Sequence, residues 1–147
     1  MKLKVFLSGE IHSDWREKIV SASVAKNLPV EFATPVVTHQ ASDDAGDVLG
    51  QEEKSFWKDH KSAKINSIRI RKGIEDADLV IVKFGEKYKQ WNAAFDAGYC
   101  AARGKPYLVI HPEEYGHALK EVDAQAMGVA DNEDKVISIV EYLTTQK

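Results

Sequence analysis

The sequence predicts an α/β fold in which a mostly parallel, five-stranded sheet is covered by helices on both faces. Three observations predict it. Short apolar runs alternate with segments of helical periodicity. Those runs, above all 79–84, are too apolar for burial on one face alone. Gly or Pro stands where units must stop, at Gly9, Pro29 and Gly104. At 147 residues the chain has the length of one ordinary domain, enough to bury a core without disulfides or metals.

Residues 3–8 read as a buried strand ending at Gly9, with 10–13 turning into a helix. From Asp14 to about Asn27 the apolar Trp15, Ile19, Ala22, Val24 and Ala25 recur at near-helical spacing, with Ser13 or Asp14 as N-cap. A second extended stretch covers 30–32 and 36–37, broken at Pro35, and the polar residues 39–60 that follow carry no clear period. A helix over about 62–75 presents Ile65, Ile68 and Ile74, and 76–78 closes it before the central strand at 79–84. Residues 85–91 form a polar and aromatic loop, 92–103 a helix ended by Gly104, and 106–110 another strand. Residues 113–126 are partly helical and 129–130 give a short edge strand. A final amphipathic helix at 134–143 aligns Val136, Ile139, Val140 and Leu143. This order gives a flavodoxin-like three-layer sandwich. In such sheets ligands sit beyond the carboxyl ends of the strands, at the topological switch point, so 9–15, 85–96 and 111–115 should converge on one cavity.

Composition narrows the partners. A hydrophobic share of 44% and a charged share of 29% are those of a soluble globular protein. A net charge of -3 with intermixed signs offers no cationic face for a polynucleotide, so a small molecule is the expected ligand. The first apolar run is too short for a signal peptide and nothing approaches transmembrane length, which predicts a cytoplasmic protein without a membrane partner. Cys100 stands alone in an alanine-rich helix, where packing is its expected role. His12, His39, His60, His111 and His117 lack the close spacing of metal ligands, and neither a metal nor a cofactor is expected.

On the helix at 92–103, Ala94, Ala97, Gly98 and Ala101 form a small-residue face suited to close packing. Asn92, Asp96, Tyr99 and Arg103 form a second, polar one, which puts the Asp96 carboxylate near the pole where a reacting group belongs. Tyr88, Trp91 and Tyr99 are suited equally to stacking on a base and to packing under loops or between subunits. Lys64, Arg69, Arg71 and Lys72 read as a solvated helix face. Lys83, inside an apolar strand, is expected to pair with Asp78 or Asp96.

Several runs together resemble the nucleoside 2-deoxyribosyltransferase family: Phe6-Leu7-Ser8-Gly9, Asp78 ahead of an apolar strand, Phe95-Asp96-Ala97-Gly98-Tyr99 and Gly104-Lys105-Pro106. Two further runs, from Gly9 to Arg16 and from Phe84 to Asn92, resemble its YtoQ-type branch. The resemblance covers nearly the whole chain and implies a single domain over 1–147.

The resemblance implies that Asp96 attacks C1′ of a deoxyribose and forms a sugar ester while the base departs, with Asp78 or Glu86 assisting the base. Release to a second base is transfer; release to water is hydrolysis. It implies substrate contacts from Phe6, Gly9, Glu10, His12, Trp15, Arg16, Gly85, Tyr88, Trp91 and Asn92, and a homodimer or larger assembly whose pockets are completed by a partner subunit. The sequence departs from the family at two places. The nucleophile is Asp where typical members have Glu, a feature shared with the YtoQ-type branch, and Phe6 stands where they place a tyrosine hydroxyl. The first turn also resembles the sugar and phosphate loop of deoxynucleoside 5′-monophosphate N-hydrolases, with Arg16 or His12 as phosphate partners. Glu10 would repel a phosphate and favours an unphosphorylated sugar. A nucleoside-binding or sensing module without turnover is the alternative from another class.

Overall fold

A computed structural model describes residues 2–145, and of His39 the backbone only. Five strands form one all-parallel sheet: β1 (Leu3–Gly9), β2 (Val30–Ala33), β3 (Leu79–Lys83), β4 (Tyr107–Ile110) and β5 (Gly128–Ala130), in the order β2-β1-β3-β4-β5. The helices are α1 (Trp15–Ala25), α2 (His39–Asp44), α3 (Ser55–Asp76), α4 (Trp91–Ala102), α5 (Lys120–Gln125) and α6 (Glu133–Thr145). Short 3-10 turns span Ala45–Leu49 and Glu113–Tyr115. The expected architecture is present, with every described pairing parallel.

Period-two alternation sorts the strand side chains into two cores. Val5, Leu7, Leu79, Ile81, Leu108 and Ile110 face one way, under Trp15 and Ile19 of α1 and Val136, Ile137 and Val140 of α6. Phe6, Val80, Val82, Tyr107 and Val109 face the other way, under Ile74 of α3 and Ala93, Ala97 and Cys100 of α4. Each large aliphatic side chain so buried contributes about 1.5–3 kcal/mol, which is why the strands read as continuous apolar runs. Burial pushes the Cys100 thiol up to about 12, so it acts as a small packing group.

Close approach requires glycine at Gly9 and at Gly73. Gly9 has φ +107°, and a Cβ there would be driven into the Lys83 carbonyl. At Gly73 a Cβ would enter the Phe6 ring, so α3 lies against the sheet only because that position is bare.

The elements differ from expectation in three places. The sheet-facing stripe of α4 is Ala93, Ala97 and Cys100; Ala94 and Ala101 are half-buried and Gly98 is exposed. Residues 36–37 are not a strand, and the extended stretch is β2 alone. The region 39–60 holds α2, a 3-10 turn and the start of α3, which begins seven residues earlier than its apolar period.

Candidate functional site

The three segments expected to meet at the carboxyl pole do meet there, but Asp96 does not open into the cavity they form. That cavity, about 300 Å³, is lined by Glu10, His12, Ser13, Lys83, Phe84, Gly85, Glu86, Lys87, Ile110, His111, Pro112 and Asp131. Its innermost polar groups are already engaged. The buried Glu10 carboxylate accepts from the His12 amide and the Ser13 hydroxyl. Lys83 is paired with Glu133, neither Asp78 nor Asp96, because the start of α6 abuts the end of β3. His111 is bonded through its two ring nitrogens to the Pro112 carbonyl and the Asp123 carboxylate.

Asp96 lines a separate cleft of about 270 Å³ on the opposite face of the sheet, between α2, α3 and α4. Helical spacing explains its walls. Asp59, Ala63, Asn66, Ser67, Ile70 and Ile74 fall on one stripe of α3, and Asn92, Asp96 and Tyr99 on one stripe of α4. Ser42 and Asp43 close the end, fixed to α3 by Asn66, which donates to the carbonyl and hydroxyl oxygens of Ser42 at 3.1 and 3.0 Å. Arg71 lies over the Tyr99 ring at 5.8 Å, and the Tyr99 hydroxyl bonds Glu75.

Asp96 touches β1 after all, from beneath. Ser8 Oγ donates to Asp96 Oδ2 at 2.5 Å, and no other hydrogen bond to this carboxylate is formed among the described residues. Burial raises the Asp96 carboxyl above the ordinary aspartate value, with the Ser8 bond acting in the opposite sense. The cleft therefore holds a poorly hydrated anion among amide, hydroxyl, guanidinium and aromatic groups, facilities for holding a polar, partly planar small molecule.

The other expected site residues scatter. Asp78 precedes β3, so it lies at the amino pole, where its carboxylate accepts from the Lys4 amide at 2.9 Å; a residue ahead of a parallel strand is on the far side of the sheet from the pocket. Phe6 and Trp15 are core residues, 2% and 0% exposed. Arg16 is buried, with its guanidinium donating to the carbonyls of Leu7, Gly9 and Glu10 at 3.2, 3.2 and 2.5 Å. Desolvation lowers it to about 10; with its fork committed to backbone, it is not placed as a phosphate partner. Glu86 and His12 are on the first cavity, and the His12 ring lies 4.8 Å from that of Tyr88, tilted by 55°. Gly85, Tyr88 and Trp91 line a third, apolar hollow of about 450 Å³ with Tyr115 and Leu119. Of the expected residues only Asn92, Asp96 and Tyr99 share the cleft. Asp43, Asp59, Asn66 and Arg71 are its unforeseen members, with Ser8 bonded to Asp96 beneath them, and the polar interruptions in the inner stripe of α3 were the signal for Asp59 and Asn66.

Among the described residues no cluster of three His, Cys, Asp or Glu is placed to hold a metal, and no helix is long and apolar enough to cross a membrane. Comparison with known proteins matches residues 6–144 to the family model described as nucleoside 2-deoxyribosyltransferase YtoQ. The chain is 41% identical over 144 residues to protein YtoQ of Bacillus subtilis (strain 168), covering 97% of each, a relative whose name specifies no reaction. Among solved structures, a conserved protein from Enterococcus faecalis V583 superposes with a TM-score of 0.64 at 10% identity, over 97% of this chain and 99% of that one. A 2-deoxyribosyltransferase from Bacillus psychrosaccharolyticus superposes with a TM-score of 0.55 at 15% identity, over 91% and 90%. At those identities the likeness is one of fold.

Proposed function

We propose, from the premise that this chain belongs to the nucleoside 2-deoxyribosyltransferase YtoQ family, that it cleaves the N-glycosidic bond of 2′-deoxynucleosides with Asp96 as nucleophile. The observation that carries the reading is the half-buried Asp96 carboxylate, raised by desolvation and open to a cleft of nucleoside size. Oδ1 attacks C1′ as the C1′–N bond breaks and its electron pair leaves with the base, which takes up a proton. The product on the protein is a sugar ester, released by a second base or by water. A fixed anion in a low-dielectric hollow stabilises the oxocarbenium-like charge that develops at C1′.

Asp78, at the amino pole, takes no part in this scheme, and Glu86 is on the other cavity. The carboxyl groups in the same cleft are Asp43 and Asp59, and protonation of the leaving base is assigned to one of them. The substrate sugar is unphosphorylated. Around the reacting carbon the cleft sets three carboxylates, Asp43, Asp59 and Asp96, against the single guanidinium of Arg71, a balance that repels a phosphate dianion.

The test is incubation with deoxyinosine and free adenine, with the bases and nucleosides followed by chromatography. Deoxyadenosine or free hypoxanthine should form with the wild type and not with Asp96→Ala. Turnover that survives Asp96→Ala removes Asp96 from the chemistry; tight binding of the nucleoside without turnover makes the protein a sensing module.

A further inference from the structure

We propose that Ser8 is a positioning residue for Asp96: its hydroxyl fixes the rotation of the carboxylate so that Oδ1 meets the reacting carbon. The inference rests on the glycosidic reading of the cleft. A carboxylate at the end of an aspartate turns about a broad, soft torsion, and attack requires one oxygen to be aimed. The 2.5 Å bond from Ser8 Oγ engages Oδ2, while Oδ1, on a side chain that lines the cleft, accepts no hydrogen bond among the described residues. An O–H···O⁻ bond of that length is of the charge-assisted, stronger kind.

A positioning group must itself be immobile, and Ser8 is. It is fully buried and is paired with Val82 in the register of β1 on β3. The carbonyls on either side of it, Leu7 and Gly9, and that of Glu10 beyond, all accept from Arg16, whose guanidinium lies 4.6 Å from the Trp15 ring. Arg16 comes from the face covered by α1, whereas Ser8 points to the face covered by α4. The strand end is thus gripped from one side while it presents its hydroxyl to the other. This accounts for a buried guanidinium that no substrate role explains, since removing a cation from water is costly unless its donors are used.

The test uses the full chain with Ser8→Ala, which deletes the hydroxyl, and Ser8→Cys, which keeps the size and leaves a weak donor. Base exchange is measured as kcat and KM across pH, and the Asp96 carboxyl is titrated by carbon NMR, its signal identified with Asp96→Asn. Ser8→Ala should lower kcat about ten- to a hundredfold, the scale of a sub-ångström to 1 Å misplacement, with KM within about twofold. Its Asp96 carboxyl should titrate at higher pH than in the wild type, because the lost bond favours the anion. Ser8→Cys should fall between the two. Unchanged kcat and unchanged titration in Ser8→Ala would overturn the proposal. If the wild type turns over no deoxynucleoside, the glycosidic reading fails by itself, while the titration still decides whether Ser8 holds the carboxylate.

Discussion

Burial raises the Asp96 carboxyl, and the sign of that shift gives two expectations of opposite direction. For an acid whose native value lies above its unfolded value, the native state binds more protons between the two. Stability is therefore full below the unfolded value and is lost as pH rises through the native one. Asp96→Asn removes that loss. It should abolish turnover yet raise the Tm at neutral pH, and the gain should vanish in acid, below the ordinary aspartate range; an unchanged or lower Tm at pH 7 would contradict the shift. Phe6 gives a second case. Its ring fills the space that Gly73 leaves open and is 2% exposed, so Phe6→Tyr should cost about 1–3 kcal/mol in a denaturant titration through a crowded, desolvated hydroxyl. Asp96 and Asn92 were legible because helical spacing alone puts them on one stripe. Ser8 was not, since a serine at a strand end has the look of any turn residue until the helix that crosses it is known. Asp78 misled for a topological reason: it precedes its strand, and in a parallel sheet that fixes it at the pole away from the cleft.

At the scale of elements, the sheet and the helices that cover it follow from apolar periodicity, and the wall of the cleft does not. Residues 39–49 are held to α3 by single polar side chains: Ser62 Oγ accepts from the Gly46 amide at 3.1 Å and donates to the Asp43 carbonyl at 2.5 Å, and Lys58 pairs with Asp44 at 3.1 Å. Such a segment has no hydrophobic period to read, which is why 39–60 was opaque in sequence and why α3 starts earlier than its apolar residues announce. Ser62→Ala should loosen this wall by about 1–3 kcal/mol, because it leaves a buried amide unpaired. Hydrogen exchange should then quicken over 39–49 and stay unchanged in β1 and β3, a local opening separate from global unfolding. Uniform acceleration across the sheet would mean that the wall is part of the global core.

For the molecule as a whole, α4 carries three stripes with three tasks. Ala93, Ala97 and Cys100 are packed on the sheet, Asn92, Asp96 and Tyr99 line the cleft, and Trp91, Phe95, Gly98 and Ala102 form an exposed apolar stripe at i, i+4, i+7 and i+11. Trp91 and Phe95 are 74% and 63% exposed, and a Cβ at Gly98 would meet nothing within 4 Å, so another backbone has room to approach. Large apolar side chains aligned in this way are what a homodimer packed about a twofold axis would bury, like stripe on like stripe, so the dimer expected from the sequence can be tested here. Phe95 also borders the cleft, so a partner on this stripe would shield the reacting carbon from water. Light scattering after size exclusion should give at least a dimer for the wild type. Phe95→Glu, whose carboxylate would face its own symmetry mate, should give a monomer that keeps its Tm to within a few degrees and loses base exchange at least tenfold. A wild-type monomer, or a monomeric Phe95→Glu with full activity, would show that the cleft is complete within one chain.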